Sequence, residues 1–214
     1  MIPRKLCPKL VEMSEYLNTL EIEVTDSQRD GRINSILHED KLTELLAKKY
    51  PIEVPEARAW YDFAITDDGI FYPVNIKSTT GKGNDNLSCK LGIYYALTGK
   101  NPTGQGLSGW RAYFDKLNAD LSETVVDYYF LVLNKGTGKT FMAALKGLQS
   151  LVPNGNNLPF QCNWTENTQY KSRTFEEAKD FLLHNFAASI KGRTAIGDDF
   201  KDNFPEYLQN VRSQ

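Results

Sequence analysis

The chain has 214 residues, 41% of them apolar and 24% charged, with a formal net charge of −2, which fits one globular domain with a substantial core and excludes a protein that coats nucleic acid by bulk charge alone. No window is long and apolar enough to cross a bilayer, and the start MIPRKLCPKLVEM lacks the apolar core of a secretory signal. Three scattered cysteines and two histidines make neither a disulfide framework nor a zinc cluster, so a soluble intracellular protein is expected.

Leu10, Met13, Leu17 and Leu20 recur at helical spacing and predict a helix from about Lys9 to Glu23. The polar DSQRDGR (Asp26 to Arg32) reads as a loop. A second helix is predicted over Ile33 to Lys49, stopping before Pro51. YDFAITDDGIFYPVNIKST (Tyr61 to Thr79) reads as two strands around an Asp-Gly turn, and GKGNDN (Gly81 to Asn86) as a polar loop. Helices are predicted over Leu87 to Leu97 and Trp110 to Leu121, with a loop over Gly99 to Gly109 between them. Val125 to Leu133 and Thr140 to Leu145 read as strands, Asn154 to Asn157 as a turn, and Leu158 to Trp164 as a strand. Phe175 to Ile190 is amphipathic, with Phe175, Ala178, Leu182 and Phe186 on one stripe. A short helix is predicted near Phe204 to Val211. Strands and helices are mixed, so the class is α/β or α+β.

The hairpin carries the chemistry. With Asp68-Gly69 at the centre of a two-residue turn, Asp67 pairs with Ile70, Phe63 falls opposite Val74, and Asp62 opposite Asn75. Alternation then puts Phe63, Ile65, Tyr72, Val74 and Ile76 on one face, the core side, and Asp62, Asn75 and Lys77 on the other. Pro73 removes a ladder donor and calls for a bulge or an unpaired stretch. Directly opposite side chains lie close enough for Asp62 and Asn75 to reach one cation. A hard divalent cation such as magnesium takes oxygen ligands. The Asp62 carboxylate, the Asn75 amide oxygen and the Ile76 carbonyl would supply three. Lys77 beside them would orient a water or offset charge on a phosphate. The bland alternative is an ordinary surface hairpin.

Asp62, twelve intervening residues, then Asn75-Ile76-Lys77 resembles the PD-(D/E)xK motif of the nuclease superfamily. The following Ser78-Thr79-Thr80, CKLGIYYALTG (Cys89 to Gly99) and NWTENTQYKSRTFEEAKDFLLHNF (Asn163 to Phe186) resemble the blunt-cutting EcoRV/HincII-like branch of type II restriction endonucleases. PVNIKST and NGNNLPFQCNW resemble the NgoBV/NlaIV subgroup, which targets GGNNCC. The resemblance spans Gly31 to Ile190. It implies one restriction-endonuclease-like α/β domain over residues 1–214, a mixed central β-sheet flanked by helices. It also implies a bacterial cytoplasmic homodimer that binds double-stranded DNA, uses Mg2+ and leaves 5′-phosphate ends. Asp62 matches the first acid and Lys77 the lysine. Asn75 stands where the family has Asp or Glu, and Tyr61 where it has Pro. Either this lineage uses Asn75 with another acid nearby, or the chain is an inactivated variant. The family often adds an acid from the preceding helix. The candidates are Glu39, Asp40 and Glu44, and Glu39 is favoured because it shares helical spacing with Leu42 and Leu46.

Two segments, residues 81–86 and 154–173, are the expected DNA-recognition loops. Lys82 would hold a phosphate, and Asn84 and Asn86 would read base edges. Gln161, Asn163, Gln169, Lys171 and Arg173 form a second polar group. Gly136-Thr137-Gly138-Lys139-Thr140 lacks the leading glycine of a phosphate-binding loop and reads as a hairpin turn. His38 and His184 have no Ser or Cys partner placed by a motif. The runner-up functions are a repair or junction nuclease on the same scaffold, and a DNA-binding module without catalysis.

Overall fold

The structure, a computed structural model, describes residues 6–20, 31–56 and 59–203, and for 31–38 the backbone alone. Expected features over Asp26 to Asp30 and Phe204 to Val211 lie outside the described residues.

The chain begins with α1 (Pro8–Leu17), whose proline stands in the first turn, where a missing N–H breaks no helical bond. Next come α2 (Gly31–Ala47), β1 (Phe63–Asp67), β2 (Ile70–Thr79), β3 (Asp85–Leu87) and α3 (Lys90–Thr98). Gly99, at φ 71°, closes α3 in the left-handed conformation that favours glycine. Then follow α4 (Trp110–Asp120), β4 (Tyr129–Asn134), β5 (Lys139–Ala144), a 3-10 turn (Leu145–Gly147), β6 (Val152–Pro153), β7 (Phe160–Cys162) and α5 (Phe175–Asn203). None of the described helices is long and apolar enough to cross a membrane.

The main sheet has the order β1-β2-β4-β5. β1 and β2 are antiparallel, β2 and β4 parallel, β4 and β5 antiparallel. A parallel neighbour cannot be reached by a tight turn, and α3 and α4 lie in the crossover between β2 and β4. Glu53 adds an isolated antiparallel bridge to Ala64 beyond β1. The second sheet is small and antiparallel, in the order β3-β7-β6.

Alternation along the strands divides the apolar side chains between two cores. On one face Phe63, Ile65, Val74, Ile76, Leu131 and Leu133 pack against Leu10, Met13 and Leu17 of α1 and Leu42 and Leu46 of α2. On the other, Phe130 and Val132 pack against α3, α4, α5 and the small sheet through Ile93, Tyr113, Leu182 and Phe160. Each fully buried side chain of this kind contributes about 1.5–3 kcal/mol of burial free energy, so both faces hold the central strands in place. α1 is also tied to β5: Asn18 Nδ2 donates to the Thr140 carbonyl (2.8 Å), and the Thr140 N–H donates back to Asn18 Oδ1 (2.7 Å).

The hairpin register is as the Asp-Gly turn implies. Phe63 pairs with Val74 and Asp67 with Ile70. Asp68 and Gly69 have φ of 48° and 73°, the left-handed pair of a type I′ turn. No bulge occurs at Pro73, which pairs in register with Ala64. The reason is geometric. In a two-residue hairpin closed at Asp67 and Ile70, hydrogen-bonded pairs alternate with open ones, and Ala64–Pro73 is an open pair. The Pro73 nitrogen faces away from β1, one residue before the parallel ladder starts at Val74. The Ala64 N–H turns outward too, to the Glu53 carbonyl (2.8 Å).

Other boundaries differ from expectation. Leu87, placed in a helix by its apolar neighbours, ends strand β3. Asp85 and Asn86, read as loop, belong to the same strand. Gly31 and Arg32 already form part of α2, and α5 runs on past Ile190 to Asn203.

Candidate active site

Asp62 lies just before β1, at the point where the hairpin partner strand continues alone toward β4. Its N–H donates to the Val74 carbonyl (2.9 Å). Its Oδ2 accepts two hydrogen bonds from the facing strand: the Ile76 N–H (2.5 Å) and Asn75 Nδ2 (2.8 Å). In an extended strand a residue's N–H and C=O point to the same side, so the Ile76 carbonyl also opens toward Asp62. The carboxylate is thereby fixed by main chain and amide together. Its Oδ1 accepts neither of these bonds.

Glu39 of α2 completes the acid pair. Burial, then the neighbouring Asp62 carboxylate, push Glu39 up to about 7, while the Lys77 ammonium pulls it partly back. Burial also raises Asp62, opposed by the Ile76 N–H and by Lys77. Two partly desolvated carboxylates thus repel each other, and the Lys77 ammonium compensates them only in part. Glu39, Asp40, Glu56, Tyr61 and Asp62 line a cleft of about 240 Å3.

The donor chemistry fits a hard divalent cation. Asp62 Oδ1, the Glu39 carboxylate and the Ile76 carbonyl are oxygens of the kind magnesium or calcium takes. With Nδ2 turned to Asp62, the Asn75 amide directs its Oδ1 away from that carboxylate. Among the described residues, no three His, Cys, Asp or Glu side chains converge as a metal cluster. A cation here would therefore draw on the Ile76 main-chain oxygen as well as the two acids, and Asn75, expected as an oxygen ligand, instead presents its N–H to Asp62.

Sequence reasoning missed Asp85. Burial raises its carboxyl, opposed by a Thr79 hydrogen bond and by the charges of Lys77 and Lys135. Its Oδ2 is buried and has no partner among the described residues. Lys77 therefore stands in the field of three acids: Asp62, Glu39 and Asp85. The only signal for Asp85 was an acid within a polar loop, which carries no information on burial.

The expected DNA-contact residues separate into two groups. Lys82 and Asn84 are exposed on the turn before β3. Asn86 and Gln161 are register partners across β3 and β7, and Gln161 Nε2 donates to Asn86 Oδ1 (3.0 Å). A Cβ on Gly81 would stand 3.3 Å from Thr165 Cγ2, so the two segments touch. Asn163 Oδ1 accepts from the Thr165 N–H (3.0 Å) and Oγ1 (2.6 Å), which holds the turn beside them. Lys171 is exposed. Arg173 points inward: Nη1 donates to the carbonyls of Lys146 (3.0 Å) and Leu148 (2.7 Å), and the guanidinium lies 3.9 Å from the Phe181 ring. Its donors on that nitrogen serve the fold.

Gly136 to Gly138 forms the turn between β4 and β5, with the Gly138 N–H bonded to the Asn134 carbonyl (2.8 Å). His184 is exposed on α5, with Nδ1 2.7 Å from the Asp180 carbonyl. Neither feature takes part in the acid cleft. No family model and no curated protein matches this chain.

Proposed function

We propose that the chain is a magnesium-dependent endonuclease that hydrolyses phosphodiester bonds in double-stranded DNA, a type II restriction endonuclease of the PD-(D/E)xK kind. The observation that carries this reading is the meeting of Asp62, Asn75 and Lys77 across one strand pair, with Glu39 in the electrostatic reach of both Asp62 and Lys77. The order of elements supports it: a helix, an antiparallel hairpin, a helical crossover and a parallel fourth strand.

A bound magnesium ion would acidify a water and offset charge on the phosphate. Asp62 Oδ1, Glu39 and the Ile76 carbonyl would hold it, while the Asn75 amide, donating to Asp62 Oδ2, fixes that carboxylate in place. Lys77 would orient the attacking water and offset the charge developing on the phosphoryl oxygens. The water oxygen bonds to phosphorus as the bond to the 3′ oxygen breaks, leaving a 5′-phosphate and a 3′-hydroxyl. Glu39 faces Asp62 and Lys77 from α2 and would serve as a ligand of the ion, the water's proton passing through solvent to the leaving 3′ oxygen. Asn86 and Gln161 would read base edges, Lys82 would hold a phosphate, and two copies about a twofold axis would cut both strands of a short palindrome. Within the resembled subgroup that site is GGNNCC, cut bluntly.

One observation favours a second reading. Asn75 brings no charge to the cation and donates its amide to Asp62, which suits a DNA-binding module that has lost catalysis. Plasmid incubated with magnesium and the wild-type chain, Asn75→Asp or Lys77→Ala separates these. Discrete fragments from the wild type, lost in Lys77→Ala, support the restriction enzyme. Cutting by Asn75→Asp alone marks Asn75 as inactivating. Binding without cutting by both refutes the nuclease. Cutting confined to branched or damaged DNA would favour a repair or junction nuclease.

A further inference from the structure

The acid cleft does not end at Tyr61. Pro55, Glu56, Ala59 and Tyr61 are walls both of that cleft and of a larger trough of about 520 Å3. The trough lies within the size range of small-molecule sites, about 300–1,000 Å3. Its other walls are of a different chemistry: Trp60, Leu91, Leu107 and the glycine-bearing stretch from Thr103 to Ser108.

The aromatic wall is held firmly. Trp60 stacks on Tyr128 (5.8 Å between centroids, 25° between planes) and meets Tyr61 edge-on at 5.1 Å. The Tyr128 hydroxyl donates to the Trp60 carbonyl (2.7 Å), and the Tyr61 hydroxyl to Glu53 Oε1 (2.7 Å). The loop wall is tied down by Lys90, whose Nζ donates to the Leu107 carbonyl (2.7 Å). Gly104 and Gly106 have φ of 76° and 72°, and nothing lies within 4 Å of where a Cβ on either would stand. Bare backbone therefore faces open space opposite aromatic rings. The Trp60 indole N–H is buried and has no acceptor among the described residues.

A flat ring with polar edges suits such a wall, and its continuity with the acid cleft says where the ring would come from. We propose that the trough receives an unstacked nucleobase from the DNA strand whose phosphate sits at Asp62 and Glu39. This inference rests on the nuclease reading. Taking a base out of the stack costs a few kcal/mol, and stacking on an aromatic wall returns about 1–3 kcal/mol per base. The enzyme would then cut a locally opened strand, with Trp60 and Tyr61 positioning the nucleotide beside the scissile phosphate.

The test uses the full chain in calcium with dAMP as the probe, read by saturation-transfer NMR beside deoxyribose 5-phosphate and N-acetyltyrosinamide. The expected result is saturation strongest at the adenine protons. Binding should fall about tenfold, in line with the loss of one stacked base, in Leu91→Trp, which fills the trough. Thr103→Trp changes only an exposed lip residue, so it gives the same test should Leu91→Trp fail to fold. Equal saturation of the sugar phosphate or of the tyrosine amide, or indifference to both variants, would overturn the proposal. If wild-type protein cuts plasmid while dAMP shows no base saturation, the base site falls and the nuclease reading stands. If dAMP saturates as expected and no DNA is ever cut, the trough stands as a nucleotide site and the nuclease reading falls.

Discussion

Replacing Glu39 by Gln should make the protein more stable at pH 8 and leave it unchanged near pH 4. Glu39 sits at about 7 against its ordinary value of 4.5, chiefly because burial and the Asp62 charge oppose its ionisation. An acid raised in this way binds its proton more tightly in the folded chain than in the unfolded one. Its contribution to stability is complete below 4.5 and is lost as pH rises toward 7, with no further loss above. The difference amounts to about 3 kcal/mol at about 1.4 kcal/mol per pH unit, and solvent screening of a half-buried group reduces it to roughly 1–2 kcal/mol. Urea unfolding of wild type and Glu39→Gln at pH 4, 6 and 8 measures it. Calcium at about ten times its Kd should stabilise the wild type at pH 8 by about 1.4 kcal/mol and Glu39→Gln by much less. A stability gap that does not change with pH, or an equal response to calcium, would refute the placement of Glu39 against Asp62.

Asp62→Ala strands the Ile76 N–H and the Asn75 amide that now meet its Oδ2, and should cost about 1–3 kcal/mol in urea unfolding as well as all plasmid cutting. Lys77→Met should lower cleavage about 10²–10³-fold while DNA binding in calcium, read by gel shift, persists. Gly92→Ala would put a Cβ 2.6 Å from the buried Tyr128 ring and should cost about 1–3 kcal/mol in thermal unfolding, with partial recovery when Tyr128 is made Leu in the same chain. Lys146, almost fully buried, donates to the carbonyls of Ala96 (3.0 Å), Thr124 (3.3 Å) and Val126. Lys146→Ala should cost at least about 2 kcal/mol, and Lys146→Met should restore only the packing part of that loss.

The hairpin was readable in advance because its information is local. A two-residue Asp-Gly turn sets the register, and a period of two sets the faces, so the meeting of Asp62 with Asn75 follows from counting. Pro73 was misread although the closing pair Asp67–Ile70 already determines which side its nitrogen faces: counted out from that pair, Ala64–Pro73 is an open pair with the nitrogen turned away from β1. The small sheet was largely hidden. β3 and β7 are three residues each and β6 only two. Such strands are too short to show a period, and their pairing joins residues far apart in sequence. α5 outran its predicted end because residues 191–203 are exposed and carry no stripe to read. Glu39 was visible as an acid near an apolar stripe, whereas the inward turn of Arg173 depends on carbonyls that only the folded chain brings to it.

The double grip on Asp62 has a consequence for how this site can change. The Ile76 amide belongs to the main chain and is present whatever side chain occupies the neighbouring position. Asp62 thus keeps one anchor that no substitution at residue 75 removes. If the site takes a cation as proposed, residue 75 would tune the charge offered to it: a carboxylate there would lose the N–H that now meets Asp62 Oδ2, while the Ile76 N–H would still hold Asp62.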